Sequence, residues 1–348
     1  MSDEVVRRAA QFVFAAMPAE QTEVIFLWHA GEPLAARMDF YRRAFSIIET
    51  EAGSRIHVRF SFQTNATLVN DKWCRFFANH DVTLGVSIDG PRHIHDSSRV
   101  SWGGTGSFDR TMRGISVLRA HGYNPPAICV LTPRSLDQPD AIYEFFLENR
   151  FPSVGFNVEE SEGVYTRSRH LDASQSDVRW AYFRFMRRIW QRRLKDGNRL
   201  RVREFERELA MIEDIRRDPT FVATPDEVRL FANITIRRDG SISTFAPELA
   251  STPSVEYGDF TVGNVLNDTP LTVRAGTAVA RLQRDIQAGR DACKATCPYY
   301  PLCGAGYQSN RYAERKSLMA TETVACQLHR KALTDVVLTE LAALEVSG

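Results

Sequence analysis

Between Glu23 and Val158, five short apolar runs alternate with stretches of helical periodicity, and this alternation constrains the chain more than any other feature. The runs are Glu23–Trp28, His57–Gln63, Val82–Ile88, Ala127–Leu131 and Ser153–Val158. Helical periodicity fills about Asp3–Met17, Met38–Ala52, Asp71–Asn79, Phe108–His121 and Gln138–Asn149. Strand and helix in strict turn predict a parallel α/β sheet, open or closed into a barrel, with its site at the carboxyl ends of the strands. The runs are nearly all apolar, as expected of strands covered on both faces. The 348 residues suffice for one large domain or two joined ones without disulfides. No stretch reaches the ~20 apolar residues of a membrane span. The N-terminus opens into an amphipathic helix without a signal-peptide layout, so a cytoplasmic location is expected.

The pattern changes after Glu159. The formal net charge is +1, yet Val178–Arg203 holds ten Lys/Arg against one acid, so that segment is +9 and the rest of the chain −8. Trp180, Phe183, Met186, Trp190 and Leu194 recur there at helical spacing, which favours an amphipathic helix with a solvated basic face. The other reading is a docking surface for an acidic peptide or nucleic acid; the near-neutral total gives no reason to expect nucleic acid. A second helix is expected at Arg203–Arg217. A hairpin follows at Leu230–Ile236 and Ser241–Phe245, turned by a type I′ signal at Asp239-Gly240. A short strand at Phe260–Val265 and a helix at about Thr323–Leu344 close the chain. The expected division is 1–160, a linking region 161–225, and 226–348.

Six cysteines sharpen the reading. Cys74 and Cys129 lie in apolar patterns and read as small core residues. Cys293, Cys297, Cys303 and Cys326 fall within 34 residues as C-x3-C-x5-C-x22-C, three of them crowding a loop. Nothing suggests secretion, so a disulfide framework is disfavoured. Four thiolates suit a 4Fe–4S cluster or a tetrahedral zinc. The paired C-x2-C knuckles of zinc ribbons are absent, and the chemistry favours the cluster.

At the strand ends, Gly31 permits close backbone approach and Glu32 can accept from an ammonium. Thr64-Asn65 and Ser87/Asp89 add hydroxyl, amide and carboxylate groups on the same rim. Taken singly, each reads as a helix cap or Asx turn. His93-x-His95-Asp96 invites a metal reading, but it lies beyond its strand with no evident third ligand. Gly103–Gly106 lacks the lysine of a phosphate loop.

These pieces in this order resemble the radical SAM/SPASM peptide-modifying enzymes. The residues carrying the resemblance are Trp28-His-Ala-Gly-Glu-Pro-Leu34, Phe62-Gln-Thr-Asn-Ala-Thr67, Val86-Ser-Ile-Asp-Gly-Pro91, His95-Asp-x-x-Arg99, Gly104-Thr-Gly-Ser-Phe108 and the cysteine loop. More narrowly, Val154-Gly-Phe-Asn-Val-Glu-Glu160, Val202-Arg-Glu-Phe-Glu206, Ser243-Thr-Phe-Ala-Pro-Glu-Leu249 and Tyr257-Gly-Asp-Phe260 are similar to the maturases of glycine-rich-repeat precursor peptides, whose relatives form cyclophane cross-links.

The resemblance implies a partial (β/α)6 barrel lacking its first strand, followed by a SPASM-like iron–sulfur domain. It implies that Gly31 and Glu32 hold the amino group of S-adenosyl-L-methionine (SAM). Ser87 and Arg99 contact its ribose or carboxylate, Asn65 lies on the same rim, and Val130 and Leu131 wall the adenine. Cys293, Cys297, Cys303 and Cys326 hold one auxiliary 4Fe–4S cluster, and Ser243-Thr-Phe245-Ala offers no ligand for a second. Glu248 and Glu160 are the acidic candidates for proton transfer. The implied partners are a precursor peptide and an electron donor such as flavodoxin or ferredoxin, with no nucleic acid and no membrane.

One departure matters. The family binds its SAM-cleaving cluster through C-x3-C-x2-C after the first strand, and no such motif occurs here. The expectation is that this cluster belongs to a longer protein and that residues 1–348 alone do not initiate radical chemistry. The competing readings are a peptide-binding iron–sulfur protein without catalysis and a zinc-binding barrel hydrolase.

Overall fold

The computed structural model describes residues 1–348 except Ala30, Trp102, 161–167, Arg169, 171–173, Phe245, Ala246 and Gly348. After helix α1 (Asp3–Ala16), strands and helices alternate: β1 (Glu23–Trp28), α2 (Met38–Ala52), β2 (His57–Thr64), α3 (Asp71–Ala78), β3 (Val82–Ser87), α4 (Phe108–Ala120), β4 (Ala127–Leu131), α5 (Pro139–Glu148) and β5 (Ser153–Val158). Helix α6 (Gln175–Lys195), the two-residue β6 (Arg201–Val202) and α7 (Arg203–Arg217) follow. The strands form one parallel sheet in the order β1-β2-β3-β4-β5-β6. The parallel α/β expectation is met. The sixth strand went unread, because two residues inside a basic run carry no strand signal.

The register shows why the sheet holds. Phe62 lies beside Leu84, Val86 beside Ala127 and Cys129 beside Phe156, all buried toward the helices. Phe45 of α2 stacks on Phe60 at 3.5 Å, and Trp28 meets Tyr41 edge-on at 5.1 Å. Cys74 and Cys129 are fully buried, as expected. The opposite face departs from the expectation of strands apolar on both sides, since it presents Arg59, Ser61, Gln63, Ser87 and Asn157. Gln63 lies flat against β3, where a Cβ on Gly85 would sit 2.2 Å from its Oε1. Glycine in this strand makes room for a neighbouring polar side chain.

The basic segment is helical, but its buried stripe is offset from the expected one. Val178, Tyr182, Phe185, Met186, Ile189 and Trp190 are buried, while Trp180 is 57% exposed and stacks on Phe183. The arginines have acidic partners in neighbouring helices. Arg188 and Arg192 reach Asp140 at 3.0 and 2.9 Å, and Arg192 also reaches Glu144 at 2.9 Å. Arg179 meets Asp335 and Arg187 meets Glu340, each at 2.6 Å. The charge thus clamps α6 to α5 and the last helix, which leaves little of it for an acidic docking partner.

A second, antiparallel sheet contains β7 (Ile234–Ile236), β8 (Ser241–Thr244) and β9 (Gly263–Asn264), shorter than the sequence suggested. The expected hairpin end at Phe245 lies outside the described residues. The Arg237 N–H donates to the Ser241 carbonyl and the Gly240 N–H to the Arg237 carbonyl, with φ +87° at Gly240 alone. This is a type I turn closed by a glycine bulge, not type I′, which needs positive φ at two residues. Helices α8 (Thr277–Thr296), α9 (Gln308–Arg315) and α10 (Leu333–Ser347) complete the chain. A π-type segment, Gln327–Ala332, leads into α10, which packs on α6 and α7.

Strand β1 is an edge. Its Ile25 and Leu27 are 56% and 57% exposed, and an apolar edge strand is a template for association. Replacing both by Thr should reduce self-association in size-exclusion chromatography while shifting stability by less than ~0.5 kcal/mol. A loss of several kcal/mol would show that these side chains are packed in solution.

Candidate functional site

The carboxyl ends of β1 to β4 form one rim, and the sequence motifs meet there through carboxylates. Gly31, exposed with φ +64°, turns the chain after β1. Glu32 then bridges two strand ends: Oε1 accepts from the Leu34 N–H (3.0 Å) and the Thr64 hydroxyl (2.7 Å), and Oε2 from the Asn65 N–H (2.8 Å). Each carboxylate oxygen takes about two donors, so Oε2 keeps capacity for one more. Asn65 turns its own Oδ1 back to the Thr67 N–H and hydroxyl. This is the Asx turn that was the plain alternative for this residue. Ser87 accepts from Gln63 at 2.9 Å.

Asp89 is the hub of the other half. Arg99 grips it through two bonds, 2.6 and 2.9 Å, and the Val130 N–H donates to its Oδ1 at 2.9 Å. Arg99 and Val130 are thereby drawn together around a buried carboxylate, and Leu131 beside them is fully buried. Asp89 is absent from the cofactor set that the resemblance implies, although its neighbour Ser87 belongs to it. No local pattern couples Asp89 to residues 10 and 41 positions away.

The His93-x-His95 pair is not a metal site. His93 bonds Gln138 at 2.7 Å on the surface. His95 is fully buried, accepting from the Asp89 N–H on Nδ1 and meeting the Ser107 hydroxyl at 2.9 Å through Nε2. Ser107 in turn donates to the Arg99 carbonyl. Asp96 accepts from the Phe108 N–H at the start of α4, and Gly106 leaves room for it, since a Cβ there would lie 2.1 Å from the Asp96 Cγ. The histidine, aspartate and arginine of His95-Asp-x-x-Arg99 thus each lock one part of the rim.

The four C-terminal cysteines line one small cavity with Tyr307, Arg311, Arg330 and Lys331. Cys293 stands on the last turn of α8 rather than in the loop; Cys297 caps that helix, and Cys303 ends a short turn. Cys326 opens the path into α10. Burial raises the Cys293 thiol above its ordinary range and pushes Cys326 up to about 12. Among the described residues no three His, Cys, Asp or Glu side chains converge on a single ion. One zinc would draw four sulfurs to roughly 3.8 Å of one another. Four thiols around one cavity are a ligand set that suits a 4Fe–4S cluster. The SAM-cleaving cluster does not find its ligands here, since the two remaining cysteines are buried in the core.

A cleft of about 1110 Å³ runs from β1 to α7, β7 and α9. Glu160 and Glu248 both line it, with Arg203, Glu227 and His329. The His329 Nε2 accepts from the Val158 N–H at 3.1 Å, and burial lowers this imidazole to about 3. It is therefore neutral, and Glu160 at 3.9 Å is not its ion-pair partner. Tyr307 and Arg330 line both the cleft and the cysteine cavity. Tyr307 has φ +61°, stacks on His329 at 17° between planes, and lies under the Arg330 guanidinium at 5.3 Å.

In fold, rim and cysteine quartet the chain is similar to the radical SAM/SPASM-type maturases. The chain belongs to the same family as the uncharacterized protein sll1766 of Synechocystis sp., with which it is 39% identical over 343 residues, 97% of this chain and 83% of that one. It is 36% identical over 148 residues to a serine-type anaerobic sulfatase-maturating enzyme of Bacteroides thetaiotaomicron, covering 42% of this chain but only 35% of that enzyme. The solved structure of anSMEcpe with bound AdoMet and Kp18Cys peptide superposes with a TM-score of 0.76 at 20% identity, over the whole of this chain and 91% of that one. No family model matches the chain. No described helix is long and apolar enough to cross a membrane.

Two outcomes follow. Glu32→Ala removes the acceptor of three donors and should cost about 2–4 kcal/mol in urea unfolding, with Glu32→Gln costing less; a change under ~0.5 kcal/mol would mean that the bridge is not formed. Burial lowers His95 to about 4, below the 6.5 of an exposed imidazole. Its folded-state contribution is therefore complete above pH 6.5 and is lost as the pH falls toward 4, about 3 kcal/mol in all. His95→Gln should remove that slope and leave the one due to His329; an unchanged slope would place the titration elsewhere.

Proposed function

We propose that the chain is part of a radical SAM enzyme that modifies a ribosomally made, glycine-rich precursor peptide, by hydrogen abstraction followed by cross-link formation. The observation that carries this reading is the wall shared by two spaces. The cysteine cavity and a peptide-sized cleft meet at Tyr307 and Arg330, and the cleft also reaches the two acidic candidates. A cluster held by Cys293, Cys297, Cys303 and Cys326 supplies a one-electron acceptor. The chain's own residues do the rest. The cleft takes an extended segment of the peptide. Glu160 or Glu248 takes the proton that leaves as the cross-link closes. On the rim, the open position on Glu32 Oε2 receives an ammonium hydrogen of SAM, while Ser87 and Arg99 face its ribose or carboxylate and Val130 its adenine; Leu131, on the buried helix side of β4, supports Val130 from behind.

Residues 1–160 carry most of the SAM-binding sheet, 161–225 complete it with β6 and the helices α6 and α7, and 226–348 serve as the cluster-bearing part. An external donor such as flavodoxin or ferredoxin supplies the electron for SAM cleavage. These residues include no C-x3-C-x2-C, so the radical-generating step is assigned to none of them.

Anaerobic reconstitution of residues 1–348 tests the reading. It should load about four iron and four sulfide per chain, with a 400 nm band, and release no 5′-deoxyadenosine from SAM under reducing conditions. Cys297→Ala with Cys303→Ala should abolish the band. Zinc in place of iron, two clusters per chain, or iron kept by the double variant would each overturn the cluster assignment. Robust 5′-deoxyadenosine would overturn the statement that these residues lack the cleaving site.

A further inference from the structure

Three cations line the cysteine cavity, and they are not equivalent. Arg330 approaches Glu208 at 3.6 Å, and Lys331 is paired with Glu322. Arg311, on α9, is only 4% exposed, and its Nη2 donates to the Cys293 sulfur at 3.1 Å. Its Nη1 donates to the Leu318 carbonyl at 3.3 Å. Among the described residues no carboxylate forms a hydrogen bond or ion pair with it. The acid that feels its charge is Glu227, whose Oε2 accepts from the Gln308 N–H instead. Helix α8 is cut away to hold the guanidinium: a Cβ on Gly289 would lie 2.5 Å from Nη1. A buried arginine needs a negative partner. The sulfur at 3.1 Å becomes one when Cys293 binds a cluster as thiolate.

We propose that Arg311 sets the reduction potential of the cluster held by the cysteine quartet, making it a better electron acceptor by donating a charged N–H to the Cys293 sulfur. The proposal rests on the cluster reading above. Adding an electron to a cluster raises its negative charge, so a fixed cation bonded to a ligand sulfur stabilises the reduced form more than the oxidised one. Lys331 and Arg330 contribute less, because each is offset by its own carboxylate. Arg311 is a positioning and tuning residue in this account; it touches a cluster ligand, not the substrate.

The test is an EPR-monitored redox titration of anaerobically reconstituted residues 1–348. In Arg311→Gln, the ratio of reduced to oxidised cluster at the wild-type midpoint should fall about tenfold, which is ~59 mV for a one-electron couple. Arg311→Lys keeps the charge on a stem without the planar fork and should give a smaller fall, about threefold. A merely structural Arg311 would instead lower the iron content while the clusters that remain titrate at the wild-type midpoint, and that result overturns the proposal. If Arg311→Gln does not load, the loaded Arg311→Lys protein decides: an unchanged midpoint overturns it and a lowered one supports it. Wild-type protein that loads no iron–sulfur cluster refutes the underlying reading and the proposal together, whereas a loaded wild type with unmoved variants refutes the proposal alone.

Discussion

A parallel sheet places the carboxyl ends of all its strands along one edge, and the chemistry of this molecule depends on that. Each strand here delivers its last residues to the same rim, so groups tens of positions apart in sequence become neighbours. The rim also concentrates backbone N–H groups that the sheet leaves without partners. Two carboxylates answer them. Glu32 ties the loop after β1 to the end of β2, and Asp89 ties the end of β3 to β4 and to Arg99. Carboxylates suit this task because each oxygen accepts more than one donor. The rim is held rigid by groups that still face the place where a cofactor would bind, which is how a scaffold keeps a polar site from collapsing.

The cysteine quartet is built on a different principle. Its ligands come from a helix end, a turn and the start of another helix, so the cavity forms only when α8, the loop and the path to α10 are all in place. Burial raises Cys293 and Cys326, which favours the protonated thiols without metal. Binding the proposed cluster would release protons and turn the quartet negative. That charge would then meet the lining cations, so folding of this part of the chain and metal loading would stabilise each other.

Much of the sheet was legible because parallel strands buried against helices leave a plain apolar signature. The five alternating runs were found within a residue or so, and Cys74 and Cys129 were placed in the core by their apolar surroundings. What escaped detection depended on contacts distant in sequence. Strand β6 is two residues in a basic run, and it exists because Ser153 and Val154 offer it a partner edge. The buried stripe of α6 keeps a helical period in a different phase from the one read, through Val178, Tyr182, Phe185, Met186, Ile189 and Trp190, and its flanking arginines pair with acids on α5 and α10. The quartet could be read from spacing alone, whereas the position of Cys293 on α8 could not. Asp89 is hidden because its partners lie at positions 99 and 130. For Arg311 the partner is a sulfur 18 residues earlier, and the room for it is made by a glycine on another helix.

The wall between the cavity and the cleft brings these two principles together. Tyr307 is held in a left-handed backbone conformation, which a tyrosine adopts at a cost and which persists only when its surroundings enforce it. His329 stacks on one side of it, and the Arg330 guanidinium lies over the ring. Burial pushes the Tyr307 hydroxyl up to about 12 and keeps His329 neutral. The wall is therefore uncharged except for Arg330, whose charge faces the quartet and is partly balanced by Glu208. Tyr307 and Arg330 are the residues that separate the cysteine cavity from the open cleft while keeping the two close. Low-dielectric separation lets the cations on the cavity side act on a bound cluster rather than on solvent. Glu160 and Glu248 lie on the cleft side of the same partition. On the proposed reading, electron acceptance and proton acceptance would fall on opposite faces of one tyrosine.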